Sequence, residues 1–203
     1  LTTINKMETV KKVLDVLLKD FAIMHTVTSL SKEVGLTRVG IWKVLRKMQA
    51  DSLVLISPVG NGKTSTGIVA INWDNPVVEK MLELALAEDV ARNRRWVSSF
   101  SELDGKVDFL IIYGSVLHSP KDANDIDILG VVSKNDNFVE IGKSVVKLQK
   151  VQAKKIHSIN FTNAELRQEL KNKNPAFIDA IRKGVVLFGH EKFIRFVKDM
   201  VSR

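Results

Sequence analysis

The stretch VDFLIIYGSVLHSPKDANDIDILGVV, Val107 to Val132, decides how the chain is read. It opens with an apolar run, Val107 to Tyr113, broken only by Asp108 and rich in β-branched and aromatic residues, the composition of a buried strand. Gly114-Ser115 ends the run, and Ser119-Pro120, Asp122 and Asn124 mark a loop. A second apolar run, Ile126 to Val132, begins inside the pair Asp125 and Asp127. Side chains at i and i+2 of a strand share a face, so the two carboxylates project together while Ile126 and Ile128 pack on the other side. Paired carboxylates repel each other and are costly to desolvate unless a cation lies between them. A hard dication such as Mg2+ takes oxygen ligands, often one or two carboxylates plus substrate phosphates. Gly114 removes a Cβ where a phosphate could approach the backbone, and Ser115 adds an N–H and a hydroxyl. The pattern points to a site for Mg2+ (or Mn2+) and a nucleoside triphosphate; ATP is the nucleotide we expect, though the residues do not fix the base. The plain alternative is a Gly-Ser turn followed by a solvated Asp pair, against which stands the depletion of Asp in strands.

Gly114-Ser115, a short gap, then Asp125-Ile126-Asp127 at the start of an apolar strand resembles the DNA polymerase beta-like nucleotidyltransferases, and most closely their small, minimal branch. The resemblance covers Ala87 to Gly189. It implies that Asp125 and Asp127 hold the metal, that Gly114 and Ser115 face the phosphates, and that a third carboxylate comes from a later strand. The matching position holds His157, and no Asp or Glu lies between Glu140 and Glu165. A neutral imidazole can ligate a metal, so His157 joins Asp125 and Asp127 as a candidate catalytic residue; a strand histidine without a role is the alternative. The family commonly has an arginine just after Gly-Ser, where this chain has Val116-Leu117-His118, which leaves Lys121 as the candidate cation for the phosphates.

The chain of 203 residues has room for one large domain or two small ones, and 45% hydrophobic residues is ordinary for a globular protein. It has no run of 18 apolar residues, so no membrane partner is expected. A polar N-terminal stretch without a signal-peptide core and the absence of cysteine lead us to expect a cytoplasmic protein without disulfides. The net charge of +8 favours an anionic partner such as nucleic acid. Residues 1–71 carry ten Lys and Arg against five Asp and Glu, so the excess is concentrated there.

Ile4, Met7, Val10, Val13, Leu14, Leu17, Leu18 and Phe21 follow helical spacing, which predicts an amphipathic helix over 3–21. Thr28 can cap a short helix that Gly35 ends, and Thr37 can cap the next, running to Ala50 with Ile41, Val44, Leu45 and Met48 as its buried face. Leu53–Ser57 and Thr66–Ile71 read as strands around a turn at Gly60-Asn61-Gly62-Lys63. From Thr28 to Ile71 the order and the run LSKEVGLTRVGIWKVLRKM resemble the winged helix-turn-helix family. The resemblance implies a recognition helix at Thr37–Lys47, with Thr37, Arg38, Trp42, Lys43, Arg46 and Lys47 as DNA contacts and Lys63 at the wing tip. Such a helix fits the major groove, and its cations meet phosphates. The alternative is a docking or dimerisation module. Trp42 reads equally as exposed or packed.

Asn72 to Pro76 reads as a junction, with Asn75 capping and Pro76 in the first turn of a helix. Helical patterns over 76–88 and 89–103 follow, with Arg92, Arg94 and Arg95 read as a solvated face. Beyond the Asp pair the periodicity predicts a helix over 137–151, with Lys143, Lys147 and Lys150 on one solvated face, and a strand over 155–161. Helices over 163–171 (capped by Thr162) and 175–183 (capped by Asn174), a strand over 185–188 and a helix over 190–201 complete the chain. The expected fold is α/β (α+β). It has a winged helix over 1–74, a segment over 75–103 that reads as a helical linker or as the first helices of the second domain, and a mixed-sheet nucleotidyltransferase-like domain over 104–203. Two functions follow. One is a transferase moving a nucleoside monophosphate from a nucleoside triphosphate to an acceptor hydroxyl, with a DNA-binding winged helix. The other is a DNA-binding regulator whose transferase domain has become a nucleotide sensor or docking unit. A homodimer is left open in both.

Overall fold

The computed structural model of the chain describes residues 3–59, 66–134 and 137–201. The fold is mixed α/β with two sheets, and the chain divides into two compact units, Leu1–Ala85 and Leu86–Arg203. No helix among the described residues is long and apolar enough to cross a membrane.

In the first unit α1 (Thr3–Lys19) is followed by a two-residue strand β1 (His25–Thr26), α2 (Val27–Val34), α3 (Arg38–Ala50) and the hairpin β2 (Val54–Val59) and β3 (Thr66–Ile71). The three strands form an antiparallel sheet in the order β1-β3-β2. Val13, Leu14 and Leu18 of α1 are buried with Leu30 of α2 and Ile41, Leu45 and Met48 of α3, the helical spacing that the sequence shows. Gly35 ends α2 at φ 77, a left-handed conformation that costs glycine little, and Thr37 caps α3 by accepting the Gly40 N–H at 3.1 Å.

The cap of α2 corrects the sequence reading. Thr26, not Thr28, accepts the Ser29 N–H, and the Ser29 hydroxyl receives the Thr26 N–H at 2.8 Å. Thr26 is extended because it belongs to β1, paired with Ile68 of β3, so the helix starts as soon as that strand ends. A strand of two residues leaves no periodicity to detect. Its other residue, His25, is buried, with Nε2 at 3.3 Å from the Asp20 carbonyl and Nδ1 at 3.4 Å from the Ser29 hydroxyl.

α4 (Pro76–Arg92) contains the division between the units, and Asn75 caps it by accepting the Val77 N–H at 3.0 Å. α5 (Arg94–Phe100) and a short 3₁₀ turn (Ser101–Leu103) lead into the second unit's sheet. Its strands are β4 (Phe109–Tyr113), β5 (Asp125–Val132), β6 (Lys155–Thr162) and β7 (Val185–Phe188), in the order β6-β5-β4-β7. β4 runs antiparallel to β5 and β7, while β5 and β6 are parallel and joined through α6 (Asn137–Gln149). The two strands of the opening stretch are thus hydrogen-bonded neighbours.

Both faces of this sheet are covered, so its strands are apolar on both sides. Leu110, Ile112, Ile126, Ile128 and Val132 join Trp96, Phe100, Leu103, Ile141 and Leu148 in one core. On the opposite face α7 (Asn163–Lys171), α8 (Pro175–Lys183) and α9 (His190–Val201) pack. There Phe109 meets Phe193 at 5.4 Å between ring centroids, and Phe161 meets Phe177 edge-on at 4.9 Å.

Asp108, the polar interruption in the first apolar run, fastens this second layer to the sheet. Its carboxylate accepts from Lys192 of α9 at 2.7 Å, from Asn163 of α7 at 3.1 Å and from the Ser133 hydroxyl just past β5. Burial raises the Asp108 pKa, but these donors outweigh it and hold the carboxyl below its usual range. A depressed carboxyl stabilises the fold above its unfolded pKa, and that stability disappears as the pH falls through the folded value. We therefore expect Asp108→Asn to cost about 2 kcal/mol at pH 7. In urea unfolding of the full chain, the gap between wild type and variant should narrow below about pH 4. A gap independent of pH would mean that the carboxylate charge plays no part.

Candidate metal and nucleotide site

The site is assembled by strand alternation and register. Asp125 and Asp127 stand on the face of β5 opposite Ile126 and Ile128, which are buried in the core. The register of the β4–β5 pair sets Tyr113 opposite Asp127, and that of the β5–β6 pair sets His157 beside it. His157 Nδ1 lies 3.3 Å from Asp125 Oδ2 and 3.5 Å from Asp127 Oδ1. The three side chains are half-buried, and their donor atoms lie within 4.8 Å of one another, a group that could hold a metal ion.

Gly114 closes the other side of Asp127. It sits at φ 84, where L side chains are strained, and a Cβ built there would fall 2.4 Å from Asp127 Oδ2. The backbone approaches the carboxylate so closely that only glycine fits, and Asp127 is left with Oδ1 turned towards His157. Ser115 opens a short 3₁₀ turn, Ser115–Leu117, and is exposed.

Two residues outside the sequence reading shape the site. Lys154 donates to the carbonyls of Lys121 (3.3 Å) and Ala123, tying down the loop that delivers β5. Tyr113 is half-buried beside Asp127, and its phenol is pushed up, first by burial and then by the Asp127 charge. Neither carries a local sequence signal, since each acts through a contact between separate strands or loops. Lys121 is exposed, and the contact it makes to Lys154 is through its backbone. Val116, where the resembling family commonly has an arginine, is buried in the core.

The basic residues of α3 lie on one exposed side. Thr37, Arg38, Lys43, Arg46 and Lys47 are exposed, while Ile41, Leu45 and Met48 face inwards. Trp42, undecided in the sequence, is 42% exposed, and the Arg46 guanidinium lies 5.7 Å from its ring centroid. Lys63 and its turn lie outside the described residues.

Burial raises the Asp127 carboxyl, the Asp125 charge raises it further, and His157 only partly offsets both. A raised carboxyl opposes folding as the pH climbs through its unfolded pKa, because the unfolded chain ionises first. In metal-free protein, Asp127→Asn should therefore raise stability at neutral pH by up to about 1 kcal/mol. The gain should vanish below about pH 4, where the wild-type carboxyl is protonated in both states. Loss of stability at pH 7, seen in urea unfolding without divalent ions, would contradict this. No protein-family model matches the chain, and neither does any curated protein or solved structure.

Proposed function

We propose that the chain is a nucleotidyltransferase carrying a DNA-binding winged helix. The observation that carries this reading is the convergence of Asp125, Asp127 and His157 at the foot of β5 and β6, with the bare backbone of Gly114 against Asp127. A nucleoside triphosphate, ATP the expected one, lies with its phosphates along Gly114 and Ser115. An acceptor hydroxyl attacks the α-phosphorus, the bond to the bridging oxygen of the β-phosphate breaks, and pyrophosphate leaves with loss of the hydroxyl proton. A bound dication, Mg2+ or Mn2+, would be held by the two aspartates and His157 and supply charge neutralisation for the triphosphate. The residues fit it, since like charges on one strand face call for a cation and the donor atoms are already gathered.

In the first unit, the exposed cations of α3 support DNA contact through a recognition helix. A second reading has a specific observation in its favour. A histidine stands where a third carboxylate is expected, and no arginine follows Ser115. On this reading the chain is a DNA-binding regulator whose second unit binds nucleotide without turning it over.

Labelled nucleoside triphosphates with Mg2+ or Mn2+ separate the two. The transferase releases pyrophosphate and leaves label on an acceptor, and Asp127→Asn abolishes both. Nucleotide binding with no release favours the regulator, and the absence of any metal-dependent nucleotide binding rejects both. For DNA, Arg38, Lys43, Arg46 and Lys47 all engaging phosphates would give a log–log salt slope of about −3 to −4 in titrations of the full chain. Changing Arg46 and Lys47 together to Ala should flatten it by about 2 and weaken binding to all sequences alike. A chain that binds no DNA at low salt would make the first unit a docking module.

A further inference from the structure

The chemistry of the three donors says more than that an ion fits. Mg2+ demands near-ideal octahedral oxygen coordination and gives up its water reluctantly. Imidazole nitrogen suits the later first-row dications, and affinity for a mixed nitrogen and oxygen site rises from Mn2+ through Co2+. We propose that Asp125, Asp127 and His157 together bind one first-row transition dication, such as Mn2+, in preference to Mg2+, and hold it before any nucleotide arrives. The inference rests on the metal half of the reading above and not on its nucleotide half.

The geometry supports a shared ion over a simple ion pair. A charge-assisted N–H···O bond closes to about 2.7–2.9 Å. His157 Nδ1 lies 3.3 Å from Asp125 Oδ2 and 3.5 Å from Asp127 Oδ1, so it is shared between the two carboxylates and makes a short bond to neither. Donors about 2.1 Å from one ion are separated by about 3.0 Å along an octahedral edge and about 3.4 Å along a tetrahedral one. The two nitrogen–oxygen distances, 3.3 and 3.5 Å, lie within about half an ångström of either figure, close enough for one ion to bridge the donors. Sheet register places the ligands, with Asp127 and His157 as direct partners across the β5–β6 pair, so the donors are preset on rigid elements. Gly114 leaves the space beside Asp127 Oδ2 clear of any side chain, while Oδ1 is the oxygen nearest His157 Nδ1, at 3.5 Å. Three protein donors also lessen the need for phosphate oxygens, and so the ion can reside in the nucleotide-free protein.

The test uses the full chain, stripped with a chelator, and metal alone. Isothermal titration should give one Mn2+ bound per chain at least about tenfold more tightly than Mg2+. Spin-echo modulation of the Mn2+ signal should show a directly bonded nitrogen. His157→Gln should remove that modulation and weaken Mn2+ by about 10- to 100-fold while leaving Mg2+ little changed. His157→Asp, which keeps three donors, should bring the two ions close to parity and serves as the second variant if the first fails to fold. Equal affinities in wild type, no Mn2+ binding, or a nitrogen signal that survives His157→Gln would each overturn the proposal. Selective Mn2+ binding without any nucleotide binding would overturn the transferase reading and leave this one standing. Turnover with no preference between the ions would do the reverse.

Discussion

Strand β5 cannot leave its first and third side chains alone. Asp125 and Asp127 share a face, carry like charge, and are held there by the burial of Ile126 and Ile128 behind them. A shift of one residue would drive both carboxylates into the apolar core, so the packing that forms the sheet also fixes where the charge emerges. The neighbours then follow. β4 can end against Asp127 only through a residue without a Cβ, and Gly114 is that residue. β6 brings a nitrogen base beside both carboxylates.

The same sheet uses an acid at its other end to the opposite effect. Asp108 receives three side-chain donors from three separate segments, and its carboxyl is held low. Asp127 is held high first by burial and then by the charge of Asp125, and its one partial partner, His157, does not offset them. Full satisfaction marks a structural acid, while an under-satisfied acid on an open face marks a candidate for chemistry. The contrast between Asp127 and an aspartate at the mouth of β4 is a stronger argument for the site than either aspartate alone.

Local features were legible in the sequence. The strands of the second unit, the Thr37 cap and the Gly35 stop all came from neighbours within a few residues, where periodicity and backbone preference are decisive. The Asp125–Asp127 face was legible for the same reason, and His157 was placed through the resemblance to a family. What escaped depends on residues far apart in the chain. The Thr26 cap follows from pairing with β3, the Asp108 contacts reach Ser133, Asn163 and Lys192, and Lys154 reaches back to the loop before β5. The exposure of Trp42 was undecidable because an aromatic on a basic helix face satisfies both patterns.

The joining of β5 to β6 through α6 has a consequence for how the second unit folds. The aspartates and the histidine belong to parallel strands, and parallel strands meet only after an entire crossover has formed and docked. Closing that loop costs chain entropy before any contact repays it, which makes such pairings slow relative to hairpins. The unfolded chain therefore offers an ion two carboxylates but no assembled trio. Any dication that the trio holds selects the folded state, and the stability of this unit becomes a function of the free ion concentration around it.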